Sequence, residues 1–118
     1  MQERIMNYHN INNLIWIWST PEPSWYPGHS KLDMIGFDSY PESYNYSCLD
    51  FRFNELKNLV ESRKMVQLSE NGPIPNMGEC IANNVTWGYF TSWADLVVQQ
   101  NSETHIREVY ANKIVLTV

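Results

Sequence analysis

The sequence predicts an α/β domain with parallel strands, and three observations predict it. Four short apolar segments alternate with segments of helical periodicity, the order expected of strands joined by helical crossovers. The first and third are apolar at most positions, the pattern of strands covered on both faces rather than one. At the carboxyl end of each segment polar or aromatic residues gather and a turn follows, and that is the end where parallel α/β proteins hold their ligands.

The first strand is "NLIWIWS" (13–19), closing on Trp18 before Ser19-Thr20-Pro21. Next comes "WYPG" (25–28), a turn in which Pro27 and Gly28 set the backbone, with Trp25 or Tyr26 placed to touch a ligand. "LDMIGFDSY" (32–40) is the second strand, and side chains two apart share a face, so Gly36, Asp38 and Tyr40 look the same way. "FRFNELKNLVESR" (51–63) repeats Phe53, Leu56, Leu59 and Val60 at helical spacing, one apolar stripe. The third strand, "KMVQLSE" (64–70), sets Leu68 and Glu70 on one face by the same alternation and is broken at once by Asn71-Gly72-Pro73. After a short irregular segment the fourth strand, "VTWGYFTSW" (85–93), puts Thr91 with Trp93 and meets a turn at Ala94-Asp95. A last helix runs over 102–113 with Ser102 as N-cap and Ile106, Val109 and Tyr110 inward.

With 118 residues and 43% hydrophobic content, one domain spanning 1–118 is expected. The net charge of −5 excludes the basic face that a nucleic-acid partner requires. Aromatics make up 14% of the chain, with five Trp and seven Tyr, a surplus suited to stacking on a flat, neutral ligand. No apolar stretch approaches the roughly 20 residues that span a bilayer, so no membrane partner is expected. Asn7, Asn10, Asn12 and Asn13 lie where a signal peptide would carry its apolar centre. Cys48 and Cys80 lack CxxC spacing, and His9, His29 and His105 are scattered and read as structural or exposed, so neither metal nor other cofactor is expected. Asn45 and Asn84 begin glycosylation sequons that matter only in a eukaryotic secretory route.

In order and spacing, "NLIWIWS", "WYPG", "LDMIGFDSY", "LSENGPIP" (68–75), "WGYFTSW" and "VYANKIVLT" resemble the carboxyl-terminal half of glycoside hydrolase family 26, the β-mannanase family, from about His9 to Thr117. The resemblance implies half of a (β/α)8 barrel, strands five to eight, with residues 1–12 ending the helix before strand five. It also implies cleavage of β-1,4-mannan or a related plant polysaccharide with retention of configuration, by two glutamates and no metal. Glu70 then falls on the nucleophile, Tyr40 on the tyrosine that hydrogen-bonds it, and Trp93 on the tryptophan under the sugar being cleaved. Asp38 takes the accompanying "D-x-Y" position, and Trp18 matches an aromatic bordering another sugar. The family's acid/base glutamate follows a Trp-His pair on strand four, and this chain has no such motif. Relatives are usually exported by signals that this chain lacks.

A retaining glycosidase needs two carboxyl groups about 5–5.5 Å apart, one attacking and one protonating the leaving oxygen. A phenol donating to the attacking carboxylate favours its charged form, and breaking the chain just after Glu70 lets the acid project while its backbone stays in the sheet. Asp38, Glu22, Glu42 and Glu79 are the nearest candidates for a partner by loop location, and none fits the acid/base position. Half a barrel leaves two bare strand edges, which a second copy pairing edge to edge would close. The alternative to a hydrolase segment is a sugar-binding remnant without turnover, or an inactive truncated protein.

Overall fold

The computed structural model describes residues 1–19 and 22–116. The expected turn at Thr20-Pro21 and the end of the family resemblance at Thr117 lie outside them. Four parallel strands form one sheet in chain order: β1 (Ile17–Ser19), β2 (Met34–Ser39), β3 (Met65–Asn71) and β4 (Phe90–Ser92). Helices α1 (Asp50–Leu59), α2 (Met77–Ala82), α3 (Ala94–Gln100) and α4 (Glu103–Ala111) follow β2, β3 and β4, while β1 passes to β2 through 3-10 turns at Pro23–Trp25 and His29–Lys31. Parallel neighbours need a crossover between them, and the 3-10 turns after β1, α1 after β2 and α2 after β3 lie on these three crossovers. A short π-helical segment, Arg4–Tyr8, buries none of its residues.

The core lies on one face of the sheet. Ile35, Phe37, Val66 and Leu68 meet Phe53, Leu56 and Val60 of the α1 segment, so the expected stripe packs as one surface. α1 stops at Leu59 although the stripe continues to Val60, because Glu61 and Ser62 turn left-handed at φ 51° and 56°; no Gly or Pro announces that stop. Two helices were not expected. α2 is only six residues long, and Asn76 caps it by accepting from the Glu79 amide at 3.0 Å. α3 buries no residue fully, so it has no strong stripe to read, and Ala94-Asp95 opens it rather than making a turn.

Two further expectations are corrected. The inner face of α4 is His105 and Val109, four apart, whereas Tyr110 is exposed and Ile106 only half-buried. The first strand forms over 17–19 alone, with Leu14, Ile15 and Ile17 exposed. Its continuous apolar pattern marks a strand meant to be covered on both sides, but here it is the sheet's edge.

Candidate active site

Three adjacent strands deliver three side chains to one place at their carboxyl ends. Tyr40 is the first residue after β2, Glu70 the penultimate residue of β3, and Trp93 the first residue after β4, where it begins α3. The Tyr40 hydroxyl donates to Glu70 Oε2 at 2.6 Å and accepts from Trp93 Nε1 at 2.8 Å. A relay from indole to phenol to carboxylate results, and its last link has the short length of a charge-assisted bond. Burial, and then the bond to Glu70, push the Tyr40 phenol above its ordinary range, while the Trp93 donor opposes them. The phenol therefore keeps its proton and remains a donor. Tyr40 and Trp93 still leave 50% and 56% of their surface exposed, so the group opens outward.

Glu70 reaches this place through a bulge, which corrects the expectation that it shares a face with Leu68. Phe37 pairs with Leu68 but Asp38 pairs with Glu70, so Ser69 is an extra residue. The β3–β4 register slips over the same stretch. Leu68 lies in the helix-side core, and the extra residue breaks the alternation that would have kept Glu70 there; bulges re-aim side chains in this way. Gly36 makes room for it: a Cβ at that position would collide with the Ser69 hydroxyl and stand 2.9 Å from Ser69 Cβ. Asp38, in register with Glu70, accepts from the Ser19 hydroxyl at 2.7 Å.

Other residues singled out in the sequence are not brought to this group. Trp18 is in register with Ile35 and packs against the core, with its ring edge-on to Tyr26 at 5.5 Å. The Tyr26 hydroxyl is 2.7 Å from His29 Nδ1. Trp25 is exposed at the end of its 3-10 turn. Glu22 caps that turn by accepting from the Ser24 amide at 3.1 Å, which holds its carboxyl below the usual range. Glu42 is exposed in the loop after Tyr40, and Glu79 lies in the first turn of α2. Among the described residues, no group of three His, Cys, Asp or Glu could hold a metal ion.

The turn after Glu70 is fixed by residues that no periodicity in the sequence marks. Residues 71–75 are all buried, so their backbone polar groups need partners. Gly72 N donates to the Ser39 carbonyl at 3.1 Å, and its own carbonyl accepts from Ser92 Oγ at 3.1 Å and Asn101 Nδ2 at 3.3 Å. Asn101 Oδ1 accepts from the Ile74 amide at 2.7 Å. His105 Nε2 lies 2.7 Å from the Ile74 carbonyl; a carbonyl only accepts, so that nitrogen carries the hydrogen. His105, expected to be structural or exposed, is thus a buried member of this turn.

The sequence model of glycosyl hydrolase family 26 matches residues 1–118. Mannan endo-1,4-beta-mannosidase B of Piromyces sp is 33% identical over 121 residues, covering all of this chain and 21% of that protein. Mannan endo-1,4-beta-mannosidase of Thermothelomyces thermophilus is 31% identical over 121 residues, covering all of the chain and 25% of that protein. The chain therefore spans a fifth to a quarter of these relatives' length. Among solved structures, the Podospora anserina GH26-CBM35 beta-(1,4)-mannanase superposes with a TM-score of 0.89 at 30% identity, over 97% of this chain and 26% of that one. A ruminal GH26 endo-beta-1,4-mannanase gives 0.86 at 28% identity, over 94% and 27%.

Proposed function

This chain belongs to glycosyl hydrolase family 26, and from that premise we propose that it is the nucleophile-bearing segment of a retaining glycoside hydrolase of the β-mannanase type. Glu70 is the nucleophile, Tyr40 its hydrogen-bond donor, Trp93 the platform beneath the sugar, and Asp38 a polar neighbour. The observation that carries this reading is the relay itself, Trp93 to Tyr40 to Glu70 at 2.8 and 2.6 Å. A phenol that keeps its proton holds one carboxylate oxygen in place and leaves the other free to attack an anomeric carbon. The attack forms a glycosyl ester while a second carboxyl group protonates the departing oxygen; water then releases the sugar as that second group takes its proton. Asp38 stands beside Glu70 in the sheet, but its carboxylate is held by the Ser19 hydroxyl, while Glu22 caps a 3-10 turn, Glu42 is exposed in a loop and Glu79 lies in α2. We therefore assign the second carboxyl group to a half-barrel that completes the site. The names of the relatives point to mannan as the polymer. Trp18, Tyr26 and Trp25 are placed for packing or for outer contacts rather than beside the nucleophile.

The test is hydrolysis of mannan by this segment joined to the half-barrel that supplies the acid/base. Glu70→Ala should lower reducing-sugar release by about 10⁴-fold or more, the scale on which loss of a covalent nucleophile acts. Azide added to that variant should yield a glycosyl azide of inverted configuration, since a small anion can occupy the vacated side-chain space. Unchanged turnover, or no azide product, would remove Glu70 from the mechanism.

A second reading is favoured by the exposed indoles of Trp25 and Trp93, which are large stacking surfaces: the chain binds polysaccharide without cleaving it. Affinity electrophoresis in mannan gels, run on the segment joined to the half-barrel that supplies the acid/base, separates the two, because binding alone retards the protein and leaves the gel intact.

A further inference from the structure

The geometry points to Asn101 and His105 as positioning residues for Glu70, clamping the turn that follows it and joining that turn to the segments carrying Tyr40 and Trp93. The catalytic consequence rests on the reading of Glu70 as nucleophile; the clamp itself does not.

β3 ends at Asn71, one residue past Glu70, so no long run of sheet bonds anchors the chain beyond the acid. Asn101 and His105 take over. Between them they bind both polar groups of Ile74, the amide through Asn101 Oδ1 at 2.7 Å and the carbonyl through His105 Nε2 at 2.7 Å, from 27 and 31 positions further along the chain. Asn101 Nδ2 also donates to the Gly72 carbonyl at 3.3 Å and, at 3.4 Å, to the Leu96 carbonyl of α3, the helix that Trp93 opens. One amide thereby ties the turn after Glu70 to the helix after Trp93. The loop after Tyr40 converges on the same point. Tyr44 N donates to the Gln100 carbonyl at 3.0 Å, the Tyr46 hydroxyl accepts from Ser102 N at 2.8 Å, and the Tyr46 ring stacks on His105 with centroids 3.5 Å apart. All three segments of the relay thus meet at the start of α4. Asn101 and His105 are both about 95% buried or more, so water does not compete for these bonds.

The readout is the ionisation of Tyr40, which senses Glu70 directly. Its ζ-carbon resonance is followed against pH in the chain and assigned by Tyr40→Phe. Glu70→Gln serves as reference and should move the midpoint down, because the carboxylate holds the phenol's proton. Asn101→Ala and His105→Leu should each move it in the same direction with the circular dichroism of the sheet retained, and His105→Gln, which keeps an N–H donor, should restore it. A midpoint unmoved by Asn101→Ala and His105→Leu, while Glu70→Gln shifts it, overturns the clamp and leaves the function standing. If even Glu70→Gln fails to move it, the Tyr40–Glu70 contact is absent and the functional reading falls with the catalytic consequence, while the clamp is then decided by hydrogen exchange. Amide hydrogen exchange in the unaltered chain makes the test independent of whether variants fold: the Ile74 amide should exchange as slowly as that of Leu68 in β3, and exchange at the rate of an open loop overturns the clamp.

Discussion

The chemistry of the site turns on one phenol. Tyr40 is raised above 10 by burial and by Glu70, so the folded chain holds that proton more tightly than the unfolded chain. Its contribution to stability is therefore complete below pH 10 and is lost as pH rises through the higher folded value. Absorbance at 295 nm should show tyrosines titrating late, Tyr26 being raised by burial as well, and Tyr40→Phe should remove one of them. In the assembled hydrolase the same substitution should lower kcat about 10- to 100-fold, the worth of one hydrogen bond to a charged group. The two cysteines make a contrasting case. Both are buried and free, and burial, with Cys48 and Glu79 adding to it, pushes the Cys80 thiol up to about 12. Since the thiolate is the reactive form, Ellman's reagent at pH 8 should find neither thiol until denaturant is added; rapid colour from the native chain would contradict their burial.

At the scale of elements, the deciding feature is the extra residue in β3. Alternation along "KMVQLSE" puts Glu70 with Leu68, on the core side, and only the pairing with β2 shows that Ser69 is inserted and Glu70 turned away. No spacing in the sequence encodes a bulge of this kind, because it is a property of two strands together. Gly36→Ala should lower the unfolding free energy by about 1–3 kcal/mol, the usual range for overpacking, because its methyl group would meet Ser69. Ser69→Gly in that background should recover part of the loss in urea denaturation. Asn101→Ala removes the partner of the buried Ile74 amide and should cost about 1–3 kcal/mol as well. The strong stripe of α1 was legible in the sequence. The short helices α2 and α3 were not, since neither is long enough or buried enough to impose a period.

For the whole molecule, the open question is what covers the outer edges of β1 and β4. The exposed Leu14, Ile15 and Ile17 beside β1 are apolar surface beside a bare edge, and such edges recruit a partner strand. In the complete hydrolase we assign this role to the half-barrel that brings the acid/base. For the chain by itself, a second copy pairing edge to edge is the proposal, and light scattering after size exclusion should then return twice the chain mass. A monomer persisting at high concentration would count against it.

By itself the sequence determined the order of parallel strands, the α1 stripe, the family, and the placing of Glu70, Tyr40 and Trp93 at strand ends, because each is written in local pattern or in motif. The tertiary structure alone decided which face Glu70 presents, that Trp18 and Tyr26 turn toward packing, and that Asn101 and His105 reach back to the turn at Ile74. Those outcomes depend on register between strands and on contacts across 27 to 31 positions, and neither leaves a period for a sequence to display.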